Sequence, residues 1–192
     1  MRLFRFFRCT LLIAVGACAV TGAVGQSAPA ALKRPYSLNV GVEASGFEAD
    51  YYSDFGFNTK LGGVGAYFDL NLWHGLGIEG EARWLRFHKY YNVHEDNYLI
   101  GPRMKVLHFW RAQPYVKGMV GFSNMDLGPD PFINKDDTGR FTTLAFGGGM
   151  DIKVTRRWSL RAIDFEYQKY PYFGNNTLTP YGASVGIGYK VF

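Results

Sequence analysis

Cysteine is almost missing from this 192-residue chain: it has 2, Cys9 and Cys18, both before residue 26. An exported domain made from the remainder would have no disulfide, so its own packing or a membrane must hold it. Long hydrophobic runs are missing too. The apolar stretch from Leu11 to about Val20 is too short to cross a bilayer as a helix, which takes about 18 apolar residues or more. No segment has helical periodicity. Charge of one sign is hardly in excess: 21 Lys+Arg stand against 16 Asp+Glu, but Arg2, Arg5 and Arg8 sit in the first segment, leaving 18 against 16. With no clustered basic stripe and no RNA-binding motif, nucleic acid is not an expected partner.

Motifs that carry chemistry are equally scarce. "GGGMD" at 147–151 is followed by no helix and is not a phosphate loop. His94, Glu95 and Asp96 are three polar neighbours without ligand spacing, read as a solvated loop rather than a metal site. His74, His88 and His108 fall near strand ends, where a turn or aromatic-belt position is expected. No Ser/His or His/Asp pair is placed together by alternation, so no catalytic residue, metal or cofactor is expected.

The N-terminus has a targeting layout. Three arginines without an acid precede the apolar run, and small residues follow at Gly22 to Gly25. Residues 1–25 read as a signal peptide, 26–35 as a linker and 36–192 as one domain. Cleavage after Gly25 fits the small-x-small pattern Ala23, Val24, Gly25. "VGAC" at 15–18 is a rival, lipobox-like site that would leave Cys18 lipidated.

What the chain does have is 24 glycines, 17% aromatic residues and segments of about ten residues that alternate strictly. In "SLNVGVEASG" Leu38, Val40, Val42 and Ala44 share one face, and Asn39, Gly41, Glu43 and Ser45 the other. In "GGVGAYFDLNL" Val64, Ala66, Phe68 and Leu70 oppose Tyr67, Asp69 and Asn71; in "LGIEGEARWLRF" Ile78, Gly80, Ala82 and Trp84 oppose Glu79, Glu81, Arg83 and Leu85. "NYLIGPRMKV", "PYVKGMVGFS", "FTTLAFGGGMDIKV", "WSLRAIDFEYQKY" and "YGASVGIGYKVF" complete eight strands, with Pro102 predicting a local irregularity. Strands that are apolar on one face and polar on the other, without helices, are the signature of a transmembrane β-barrel whose greasy face meets lipid. The expected fold is therefore all-β, an eight-stranded antiparallel up-and-down barrel.

Link lengths support closure. "FEADYYSDFGFNTK", "HKYYNVHEDN", "NMDLGPDPFINKDDTGR" and "YPYFGNNTL" are long; "WHG", "HFWRAQ" and "TRR" between them are short. Short periplasmic turns and long outer loops are usual in such barrels. One strand breaks phase: Arg161 lies three residues from Asp164, while Asp164, Glu166 and Gln168 keep a spacing of two. An extra residue at Ala162 or Ile163 would restore the phase, which predicts a β-bulge. With the bulge included, the inward face receives Glu43, Asp69, Glu79, Glu81, Asp151, Asp164 and Glu166. It also receives Arg83, Arg103, Lys105, Lys117, Lys153, Arg161 and Lys190. Seven acids against seven bases in a narrow interior predict a paired network rather than an ion-selective pore.

"YLIGPRMKV", "QPYVKGMVGFS", "FGGGMDIKVTRRWSLRAIDFEY" and the final "GASVGIGYKVF", in that order, resemble the outer-membrane protein β-barrel family that includes the OmpA-type transmembrane domain. The resemblance runs from about Tyr36 to Phe192. It implies that Arg161 takes the place of the seventh-strand arginine of a luminal ion network. It also implies that the terminal strand, with Tyr189, Val191 and Phe192, is read by the barrel-assembly machinery. Phe192 is one position out of phase with the other two. The resemblance covers no peptidoglycan-binding domain such as that of full-length OmpA, and that function is not expected.

The expected protein is a monomer in the cell outer membrane, exported through the periplasm, with membrane lipids and an unidentified loop ligand as partners. Its expected role is structural or surface-interaction, through the outer loops. A narrow channel for small or apolar solutes is the second reading and a lipid-modifying enzyme the third.

Overall fold

A computed structural model describes residues 36–49, 59–88, 94–107, 109–126, 139–173 and 176–192. The signal-peptide, linker and lipobox expectations, and His108, lie outside the described residues. No described helix is long and apolar enough to cross a membrane, and the chain is built from strands. They are β1 (Ser37–Ala49), β2 (Thr59–Trp73), β3 (Leu76–His88), β4 (His94–Lys105), β5 (Ala112–Asp126), β6 (Gly139–Lys153), β7 (Trp158–Phe173), β8 (Asn176–Leu178) and β9 (Tyr181–Lys190).

Neighbours in sequence are neighbours in space. β1 to β7 follow one another, β9 joins β7 to β1, and all of these pairs are antiparallel. The ring has eight strands and closes without a free edge, which satisfies every strand's backbone groups inside a bilayer. β8 is the ninth strand: it pairs only with the far end of β7, so part of "YPYFGNNTL" is a small hairpin rather than open loop. Ring strands of 10 to 16 residues meet or exceed the roughly nine to eleven that a tilted strand needs to cross the hydrocarbon.

Alternation explains which way each residue points. Val42, Phe68, Ile100, Val120, Phe146, Phe165 and Val185 are exposed on the outer face, whereas their neighbours Glu43, Tyr67, Leu99, Met119, Ala145, Glu166 and Ser184 are buried in the lumen. A lipid solvent makes that outer face favourable. Aromatic residues gather at its two ends. Trp158 and Tyr189 lie 5.1 Å apart, and Tyr36 and Phe192 5.9 Å, at the end with the short turns; Tyr98 and Phe122 lie 5.2 Å apart at the other.

The short turns show their causes. His74 and Gly75 both have positive φ, 46° and 88°, as a two-residue hairpin of the primed type requires. In the next, Phe109 and Ala112 exchange backbone hydrogen bonds around Trp110 and Arg111, and Trp110 takes φ 53°. In the third, the Thr155 hydroxyl accepts from the amides of Arg157 and Trp158.

The bulge expected at Ala162 or Ile163 is present. Met150 opposes Ile163 and Asp151 opposes Arg161, which leaves Ala162 as the extra residue against β6. Against β9 the same step falls between Arg161 and Asp164. A bulge not foreseen lies on β3: Gly62 opposes Phe87 and Gly63 opposes Leu85, so Arg86 is extra. Pro102 breaks less than expected. Ile100 pairs with Val120 and Arg103 with Lys117, so the β4–β5 ladder skips two residues without a change of register.

Candidate functional site: the luminal ion network

Inward side chains from seven of the eight ring strands converge on four cations. Arg161, on β7 just before the bulge, reaches Glu79 at 3.0 Å, Asp164 at 3.1 Å, Glu43 at 3.3 Å and Asp69 at 3.3 Å. Lys117 on β5 reaches Asp164 at 2.7 Å, Glu81 at 3.0 Å, Glu166 at 3.1 Å and Glu79 at 3.4 Å. Arg103 on β4 pairs with Asp69, with Glu79 at 3.2 Å and with Asp151. Arg83 on β3 pairs with Glu81, with Glu166 at 3.2 Å and with Glu43 at 3.6 Å. The bulge makes this possible, since without it Arg161 and Asp164 could not both face inward.

Three guanidinium groups also lie over rings. The Cζ of Arg161 is 3.5 Å from the centre of Tyr67, that of Arg103 is 3.5 Å from Tyr115 and that of Arg83 is 4.3 Å from Phe47. A planar cation offers its edge to carboxylates and its face to an aromatic ring, so one side chain serves both contacts. Glycines on the same face make room: a Cβ at Gly41 would run into Tyr67, and one at Gly65 or Gly186 would press on Glu43.

Seven acids thus meet four bases here, not seven. Lys105, Lys153 and Lys190 have inward parity but make no ion pair among the described residues; the latter two are exposed at the short-turn end. Parity tells which face a residue takes, and its distance from the strand end decides whether it meets water. Glu79, Glu81 and Asp164 come close enough together to suggest a metal, but the Lys117 ammonium already lies among them.

Nearer the other end lies a second polar cluster. His94, Glu95 and Asp96 are strand residues of β4, not a solvated loop; β4 starts earlier than composition suggested, and Glu95 is 1% exposed. Glu95 accepts from the Asn97 amide at 2.9 Å and contacts the Tyr170 hydroxyl at 2.7 Å. Tyr170 also meets Gln168 at 2.8 Å and Ser123 at 3.1 Å, and Ser123 lies 2.6 Å from Thr143. Carrying the alternation of β4 back from Gly101 would have found Glu95 and Asn97 on the inner face. Asp96, facing the other way, pairs at 2.6 Å with Arg86 at the unforeseen bulge.

Among the terminal aromatics, Tyr189 lies on the outer face of β9, while Val191 and Phe192 follow the strand. The Val191 amide donates to the Leu38 carbonyl at 2.8 Å, which extends the pairing with β1 past the strand end.

The model of the family described as "Outer membrane protein beta-barrel domain" matches residues 16–190. Among solved structures, the chain is similar to Neisserial surface protein A, with TM-score 0.63 and 12% identity over 79% of this chain and 96% of that one. It is also similar to the outer membrane protein OprG from Pseudomonas aeruginosa, with TM-score 0.54 and 14% identity over 82% and 96%. No curated protein matches by sequence.

Proposed function

The chain belongs to the outer membrane protein beta-barrel domain family, and from that premise we propose that it is a non-enzymatic, integral outer-membrane scaffold. In this reading its work is surface interaction through the four long links, and its lumen is shut to solutes. The observation that carries the proposal is the filled interior. Arg83, Arg161, Glu79, Glu166 and Gln168 are each at most 1% exposed, and they bind one another across the barrel rather than lining a passage. An eight-stranded barrel is just wide enough for side chains to fill it. With solute passage blocked, the segments that differ most from a bare scaffold are the links between β1 and β2, β3 and β4, β5 and β6, and β7 and β9.

Short turns on the periplasmic side and long links outside give the orientation. Export through the periplasm, insertion by the assembly machinery through the terminal strand, a monomeric state and a loop partner belong to the same proposal. Fold alone does not decide function. Two measurements test the reading together. Refolded protein in planar bilayers should show no steady conductance of the general-porin kind, and protease added to intact cells should cut within 124–140 or 47–60 while sparing Arg156 and Arg157. Free conduction would replace the scaffold by the channel reading, and cleavage at Arg156 or Arg157 alone would invert the orientation.

A further inference from the structure

The three lysines left out of the luminal network occupy equivalent positions. Each is the last residue of its strand, β4, β6 or β9, and each is fixed by a backbone hydrogen bond to a short turn. Lys105 N donates to Gly75 O at 2.8 Å, Lys153 N to Arg111 O at 2.9 Å and Lys190 N to Arg157 O at 2.7 Å. All three line a cavity of about 280 Å³ at the short-turn end, together with Arg156, Arg157 and the amide side chain of Gln113. The one acid on its wall, Asp151, is already held by Arg103 and lies 3.8 Å from Arg161. Five cationic residues therefore line a recess whose only carboxylate is committed elsewhere, although the guanidinium of one of them, Arg157, is turned to Tyr189.

We propose that this recess is a binding site for a small phosphate-bearing anion with two or more negative charges. Rings of Lys and Arg are the usual means of drawing anions and phosphates to a pore mouth. Lysine supplies compact point charges from several directions, which suits a phosphoryl group with oxygens on all sides better than a single flat carboxylate. The backbone bonds fix where each lysine side chain leaves its strand at the rim of the recess. Arg157 donates to the Tyr189 hydroxyl at 3.0 Å, which ties the turn that carries two of the cations to the outer face of β9. The alternative use of these lysines is to counter the surplus of acids deeper in the lumen, seven carboxylates against four cations. That role needs their charge but no ligand.

The test is calorimetric titration of the refolded full chain, at low salt and in neutral detergent, with pyrophosphate and with inorganic phosphate. Saturable binding is expected, tighter for pyrophosphate. Lys105→Gln, Lys153→Gln and Lys190→Gln should each weaken it several-fold, and the triple variant about a hundredfold or more, while Lys60→Gln at the opposite end of β2 leaves it unchanged. Heat-modifiable migration on gels verifies that each variant is folded. The single variants serve if the triple one fails to fold. Repeating the titration in phosphatidylcholine and in phosphatidylglycerol vesicles separates two sources of the same chemistry. Binding in both assigns the site to a soluble phosphate, and loss only with phosphatidylglycerol assigns it to a lipid headgroup. Folded variants that bind pyrophosphate like wild type, an equal loss with Lys60→Gln, or no binding by the wild-type chain would each overturn the proposal. None of these outcomes touches the conductance and proteolysis results that test the scaffold reading.

Discussion

Arg161 lies over Tyr67, its Cζ 3.5 Å from the ring centre, while its nitrogens are shared among Glu79, Asp164, Glu43 and Asp69. One cation therefore offsets charge from β1, β2, β3 and its own strand. Arg161→Ala leaves those carboxylates underpaired in a poorly solvated space, at a cost of about 3 to 5 kcal/mol. Arg161→Lys keeps the charge and loses the fork and the stacking, so its loss should be smaller. Urea unfolding in lipid vesicles, with heat-modifiable migration as a second readout, measures both. Wild-type resistance in the alanine variant would show that the network does not hold the barrel.

Ala162 sets the phase of everything after it on β7. Deleting it turns Asp164, Glu166 and Gln168 toward lipid or drives Arg161 there, and charge on the lipid face costs up to about 2 to 4 kcal/mol per residue at mid-depth. The deletion should abolish the folded, heat-modifiable form. Ala162→Val keeps the residue count and should fold. A deletion variant that folds normally would mean that β7 can reach the same pairing by another route.

The same strand shows what can be read from a sequence. The gap of three between Arg161 and Asp164, against gaps of two afterward, is visible as spacing, because alternation has a fixed period and any extra residue breaks it. The bulge at Arg86 leaves no such mark: the residues after it toward the link are aromatic or basic, and both kinds occur on either face near a membrane surface. Depth was equally hidden. Lys153 and Asp151 share one face of β6, yet Asp151 is buried and Lys153 exposed, a difference of one strand step that periodicity does not encode. Glu95 was missed because pairing of β4 with β3 and β5 continues past the point where composition turns polar.

Tyr170 has one proton and several oxygen neighbours, the nearest two on Glu95 and Gln168, with Asn97 Oδ1 at 3.3 Å and Ser123 Oγ at 3.1 Å. Gln168 turns its Nε2 to Glu166 at 2.6 Å, so its Oε1 faces the Tyr170 hydroxyl at 2.8 Å, while a Glu95 oxygen lies 2.7 Å away on another side. Glu95→Gln supplies a donor at that contact and should cost less than about 1 kcal/mol. Tyr170→Phe strands the buried oxygens and should cost about 1 to 3 kcal/mol. Equilibrium unfolding of the two variants side by side checks the order, and the reverse order would refute this hydrogen-bond count.

His74 holds a left-handed conformation at φ 46° that asparagine or glycine adopts more easily. His74→Asn should stabilise the hairpin by a few tenths of a kcal/mol. Gly75→Val, at φ 88°, should destabilise it by about 1 to 2 kcal/mol. Urea midpoints decide, and a neutral Gly75→Val would mean that the turn rearranges freely.

Apart from Asp151 on the neighbouring β6, the carboxylates that Arg161 contacts outside its own strand lie far away in sequence, as with Glu43, 118 positions away. The distant pairs, unlike the one with Asp151, need β9 to have met β1 and the ring to have shut. A slip of one residue between those strands would send Glu43 and Ser45 to the lipid side and leave Arg83 and Arg161 short of partners, although the backbone ladder would look just as complete. Backbone pairing alone is blind to such an error. The luminal charges thus tell the correctly registered cylinder from a slipped one, where the ladder does not.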